Sequence, residues 1–312
     1  MTTPPISSAP SAPASAIHDI GYRHYEGRRL GRAYVLRSLY VHNLRAVFGL
    51  GRPARAKVMP FMLAAIMMLP AAGSVAVLAI TKEPETLIPY ANYAIIMQPV
   101  VAIFLATQAP VVASRELRFH VVPLYFSRPV GSFDFVLAKF AAFVTALFAL
   151  LATPVTLLYI GALVTRPSKE ADAPQLPSIG SQTLDFLPGL AGCALFALVL
   201  AAFALVVAAF TPRRGFGVAA VIAVYLLSTA TVGIVQAIAE ETSNYGVAGW
   251  AGLFAPFTLV DGVQVSLLGT ESPTIGGPPA GAGGPVFCLV CAAVIAGSLA
   301  VLYGRFRKGG LS

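Results

Sequence analysis

Long charge-free hydrophobic runs alternate with short polar joints along this chain, at 58–80, 90–114, 140–165, 186–212, 215–239 and 285–304. A helix needs roughly 20 residues to cross a hydrocarbon core about 30 Å thick. Every run is that long. The pattern therefore predicts an all-α polytopic membrane protein with six transmembrane helices, at about 58–80, 90–114, 138–163, 187–211, 216–239 and 285–304. Ahead of them, Leu36, Leu39, Tyr40, Leu44 and Val47 recur at helical spacing. Ser38, His42 and Arg45 share the opposite face. This predicts an amphipathic helix lying in the membrane interface, with Arg45 snorkelling to headgroups.

The joints are unequal. Residues 211–217, TPRRGFG, form a tight connection that makes spans four and five antiparallel neighbours. Residues 115–137 are longer than a helix hairpin needs. They mix charges with bulky apolar side chains, a composition suited to a short surface helix facing a partner. The last joint, 240–284, contains VAGWAGLFAPFTLVDGVQVSLL at 247–268, apolar enough to pose as a seventh span. Pro256 breaks it, and Asp261 and Gln264 would be costly in lipid. The expectation is a broken, re-entrant segment, with protein or water covering its backbone.

Charge orients the bundle. Of 21 Lys and Arg, 18 fall before span one, between spans two and three, between four and five, or after six. The alternate joints hold only Lys82, Arg166 and Lys169, with 9 of the 13 acids. The positive-inside rule then places both termini in the cytoplasm of a cell-membrane protein. Topology accounts for the net charge of +8, so no nucleic-acid partner is implied. Composition agrees, at 57% hydrophobic and 11% charged. Residues 1–32 read as a disordered, then basic, cytoplasmic tail, with neither the n-region nor the h-region of a secretory signal. Residues 33–57 hold the amphipathic helix and a linker, and 58–308 the six-span domain.

Candidate chemistry is sparse. There is no GxxxxGKS/T phosphate loop, no HExxH and no GxSxG. No metal site is expected. Cys193, Cys288 and Cys291 lie in hydrophobic runs and read as small buried residues. Asn92, Gln98, Thr107, Gln108 and Gln236 are in-span or span-edge polar groups, suited to interhelical hydrogen bonds or to lining a path. No acid pair within a span supports an ion relay. The chain has no energy source of its own, hence no catalytic residues.

Four features together resemble the membrane subunits of ABC transporters of the type-two permease family, whose exporters share the type V fold. They are six spans with both ends inside, the amphipathic helix before span one, the joint SRELRFHVVPLYFSRPVGSFDFVLAK, and the Pro-containing LFAPFTLVDGVQ before span six. The resemblance covers 33–308. It implies an exporter's permease subunit, paired with a second permease subunit and driven by a separate subunit that binds ATP and Mg. That subunit would dock on a coupling helix drawn from Arg115, Glu116, Leu117, Arg118, Phe119, His120, Tyr125, Phe126 and Arg128. Two other classes fit the bare topology: a membrane scaffold that recruits a cytoplasmic partner, and an ion-coupled secondary transporter.

Overall fold

In a computed structural model, residues 27, 30–81, 86–126, 130–166, 178–211, 213–274 and 277–310 are described. The expected tail lies almost wholly outside them, and Arg32 onward forms one unit. Among the described residues every regular element is helical. In chain order these are α1 (Arg32–Val47), α2 (Arg55–Thr81), α3 (Tyr93–Ile96), α4 (Gln98–Arg118), α5 (Val122–Phe126), α6 (Ser132–Val164), α7 (Ile179–Phe210), α8 (Arg214–Glu241), α9 (Tyr245–Ala251), α10 (Pro256–Leu268) and α11 (Gly283–Gly309). Six of them, α2, α4, α6, α7, α8 and α11, are long and apolar enough to cross a membrane.

Local chemistry sets the breaks. Gly49 and Gly51 take left-handed conformations between α1 and α2 (φ 66° and 80°). A Cβ on Gly49 would sit 2.5 Å from the Ala56 carbonyl oxygen, so only glycine fits there. Ser178 caps α7 by accepting the Ser181 N–H at 3.0 Å. The second span departs from the continuous run expected at 90–114. It opens with a 3-10 turn (Tyr90–Asn92) and α3, breaks at Met97, and restarts as α4 with Pro99 in its first turn. Proline is tolerated there because the first N–H groups of a helix have no partner anyway. Several helices outrun their charge-free cores: α6 starts before Asp134 and Lys139, and α4 continues through Arg118.

The core is built on α4, α6 and α7. Helix α6 packs against α7, α1 and α2, while α7 also packs on α4 and α11. Large side chains fill it, among them Phe104, Phe143, Leu147, Phe196 and Leu200, each almost wholly buried. Pro70 lies inside α2 without ending it, and the Tyr93 hydroxyl donates to the Met67 carbonyl one turn earlier. The carbonyl that Pro70 leaves without a helical donor is that of Ile66, next to the one Tyr93 binds.

The expected break before the last span is sharp. Helix α9 and the 3-10 turn after it (Gly252–Phe254) meet α10 at an angle of 120° around Ala255. Proline at the first position of α10 starts the new direction. Asp261 and Gln264 point into protein and are nearly fully buried. The Ser272 hydroxyl donates to the Asp261 carboxylate at 2.5 Å, and Gln264 donates to the Ala91 carbonyl at 3.1 Å. Bending the segment places both polar side chains against hydrogen-bonding groups.

Candidate functional site

Two regions concentrate polar chemistry, one at each end of the bundle. The first gathers α1, the end of α4, α5, the start of α6 and the end of α11. It carries most of the described basic residues and is called here the basic end.

Lys139 is its hub. It lies on α6, buried, with its ammonium 3.0 Å from the Glu116 carboxylate of α4. It also donates to the Val112 carbonyl at 2.5 Å and to Asn43 Oδ1 of α1 at 3.4 Å. The rings of Phe135 and Phe306 lie 4.9 and 5.7 Å from the nitrogen. One cation thus joins four helices through a carboxylate, a carbonyl, an amide and two π faces. Glu116, expected on a docking surface, instead faces inward, because a buried ammonium requires a counter-charge. Nearby, Arg32 clasps Asp134 in two parallel bonds of 2.6 and 2.7 Å. That bonding holds the Arg32 guanidinium above its ordinary pKa.

The apolar stripe of α1, expected to lie in the membrane interface, packs against the rest of the chain. Leu39 and Val47 are buried, Leu36, Tyr40 and Leu44 are half-buried, and Ser38, His42 and Arg45 are exposed. The inward face packs on α6, where the Tyr40 hydroxyl donates to Thr145 Oγ1 at 3.0 Å. Asn43, which no apolar stripe could flag, is buried in that face.

Helix α4 ends at Arg118, and His120, two residues on, takes a left-handed φ of 52°. The Val121 N–H reaches back to the Glu116 carbonyl at 3.2 Å, closing a Schellman-type end. The chain then turns into α5. Val122 is buried, and Tyr125 and Phe126 lean on Phe135 at ring separations of 5.1 and 5.8 Å. Phe135 in turn meets Phe306 of α11 at 5.4 Å. The outward side is different: Phe119 is 62% and Leu124 69% exposed. Arg115, Arg118 and His120 are exposed beside them, and Leu117 is half-buried. Arg118 lies 5.4 Å over the Phe119 ring. Arg128 lies outside the described residues. The predicted set is therefore split, with a fixed inner side and an exposed outer side that mixes apolar and basic groups.

The in-span polar residues do not converge. Thr107 bonds its own helix at the Ile103 carbonyl, 2.8 Å away, and accepts from Gln108 at 3.3 Å. Gln236 of α8 donates to the Ala248 carbonyl of α9 at 3.4 Å. Gln98 is half-buried at the start of α4.

Asn92, by contrast, lines a cavity of about 490 Å³ at the other end of the bundle. The walls come from the 3-10 turn, the start of α7 and the loop after α10. They include Asp185, Gln182, Thr270 and Glu271. Tyr90 forms one wall. Its ring meets Tyr159 and Phe186 edge-on at 6.4 and 6.0 Å, and those two rings stack at 4.4 Å. Gly189 allows this, since a Cβ there would lie 2.6 Å from the Tyr90 Cβ. Sequence reasoning singled out Asn92 alone of these groups. Gln182 and Asp185 sit just ahead of a hydrophobic run, where they read as boundary residues. No protein-family model matches the chain, and no curated protein matches it either.

Proposed function

We propose that this chain is the membrane-embedded permease subunit of an ATP-driven ABC transporter working as an exporter. The basic end faces the cytoplasm of the cell membrane. A separate ATP-binding subunit docks there, and a second permease subunit completes the path. ATP and Mg belong to the docked subunit, since this chain carries no phosphate loop.

One observation carries the reading. Helix α5 is held on its inner side by ring contacts of Tyr125 and Phe126 with Phe135 of α6 and by packing against α11, while Leu124 stands exposed on its outer side and Phe119 in the turn before it. A short helix clamped to two spans and apolar toward the aqueous side suits a partner that pushes. Apolar anchors within a polar rim are the usual anatomy of such a contact. The surrounding Arg115 and Arg118 set its register and specificity. Closure of the ATP-binding subunits would load α5 and pass the displacement to α6 and α11.

The test is flux in reconstituted vesicles together with the co-purified ATPase. The expected flux requires ATP and stops with vanadate. Leu124→Arg should abolish both ATPase binding and flux while the purified chain keeps its unfolding temperature. Charge reversal at Arg115 should weaken binding without unfolding. Flux driven by a proton or sodium gradient without nucleotide would replace this reading with a secondary transporter. Partner recruitment without any flux would replace it with a scaffold.

A further inference from the structure

Helix α9 folds back along α8 rather than leaving the bundle. The turn between them is polar and exposed, with Glu240, Glu241 and Asn244, and Ser243 takes a left-handed φ of 53° there. Three contacts then step down α8. Gln236 donates to the Ala248 carbonyl at 3.4 Å. Val232, one turn deeper, packs with Ala251 and Ala255. Two turns deeper again, the Tyr225 ring meets the Phe257 ring at 5.7 Å. At the rise of an α-helix, Val232 lies roughly 14 Å below the end of α8 at Glu241. The segment therefore descends beside the apolar part of a crossing helix. Its two sides differ. Ala248, Gly249, Ala251 and Gly252 face the protein and are buried. A Cβ on Gly249 would lie 2.7 Å from the Gly277 carbonyl oxygen, so this side is closely seated. Val247, Trp250 and Phe254, spaced three and four apart, share the opposite side. Trp250 is 38% and Phe254 76% exposed, and no polar side chain interrupts the stripe.

We propose that this stripe is a lipid contact: it docks on the acyl chains of the leaflet opposite the basic end, with Trp250 shallower than Phe254. Three media are available at this depth, namely water, protein and hydrocarbon. A water-filled path is a poor match, because ordered water needs polar partners and the stripe offers only the indole N–H. A stable subunit contact takes roughly 20–30 residues a side, and the stripe supplies three side chains. Hydrocarbon needs no complementary surface at all. Tryptophan suits the level it occupies, between the Gln236 and Val232 contacts, since its ring joins an apolar body to a polar N–H. Phenylalanine, with no polar atom, comes one turn further down. A re-entrant backbone is tolerated in lipid only where protein covers it, and the small buried residues seated on α8 give that cover. The proposal uses only α8 as a crossing helix. Neither nucleotide nor a partner subunit enters it, so it stands or falls apart from the permease reading.

Trp250 is the only tryptophan in the chain, so its fluorescence reports this stripe alone. The full-length protein is placed in nanodiscs of phosphatidylcholine brominated either near the glycerol end or near the methyl end of its acyl chains. Iodide in the buffer is the aqueous quencher. Trp250 should lose most of its emission to the shallow bromines, less to the deep ones and little to iodide. Moving the probe tests the descent. Trp250→Phe with Phe254→Trp should shift the preference toward the deep bromines. Trp250→Phe with Val247→Trp should shift it toward the shallow bromines and iodide. Each exchange sits at an exposed position, and the measurement on the unaltered chain decides by itself where a variant fails to fold. Stronger quenching by iodide than by bromine marks a water-lined stripe and overturns the proposal. Protection from both quenchers marks a protein cover and overturns it too. Bromine quenching with no order among the three positions overturns it as well.

Discussion

Helices α6 and α8 have the same mean hydropathy over their most apolar stretch, 2.3 each, yet two-thirds of that stretch is buried in α6 and about a tenth in α8. The same division separates α4 and α7 from α2 and α11. Apolarity therefore admits a helix to the membrane without saying which helix is central. In hydrocarbon there is no hydrophobic gain from pairing helices, so position follows shape and hydrogen bonding. The inner three are fastened to one another by polar groups: Lys139 and Glu116 between α6 and α4, and Ser114 of α4 donating to the Ala208 carbonyl of α7 at 2.5 Å. Leu226, Leu227, Ile234 and Ile238 of α8 stand exposed in a single chain. In water they would be a liability; against lipid or a neighbouring subunit they are an ordinary surface.

The comparison can be broken at its strongest point. Lys139→Ala leaves Glu116 buried without its counter-charge, which costs about 3–5 kcal/mol in comparable buried pairs. Loss of folded protein on size-exclusion chromatography is expected, and the double change Lys139→Met with Glu116→Leu should recover much of it. Next comes a direct contrast. Phe196→Ala in α7 should lower stability by about 3–5 kcal/mol, as ring deletions in packed cores do. Leu227→Ala, on the exposed face of α8, should change it by less than about 0.5 kcal/mol. Comparable losses at both sites in thermal unfolding would show that α8 is as enclosed as α7. Gly262→Ala is a milder probe, of the seam between α10 and α11, because its Cβ would meet the Phe287 ring at 2.3 Å. About 1–3 kcal/mol of overpacking is expected, read as a lower unfolding temperature. Arg32→Ala should have the smallest effect, because that side chain is 69% exposed and water screens its bond to Asp134.

Much of this was legible in the chain. Length and apolarity marked the six crossing helices and Pro256 marked the bend, while the spacing of Leu36, Leu39 and Val47 marked an apolar stripe on α1 without revealing that it packs on α6. The exceptions share one physical cause. Lys139 reads as the last charge before a span, and nothing local reveals that Glu116, 23 positions earlier, turns inward to meet it. Asn92, Gln182 and Thr270 come from three separate joints, and they share a cavity only once α7 and α10 are packed. The break at Met97 was hidden because a run without charges looks continuous whatever its backbone does. Pairwise contacts between distant segments leave no periodic trace.

Helix α11 has a consequence beyond its role as the last crossing. It runs unbroken for 27 residues, about 40 Å at the rise of an α-helix, with no proline after its first turn. At its C-terminal end it touches α5, where Phe126 fills the space beside Gly310, and toward its other end it packs along α10. An uninterrupted helix is stiff along its axis, so its two ends move as one strut. A displacement of a few ångströms applied to α5 would arrive at α10 with little lost to bending, next to the loop that forms one wall of the far cavity.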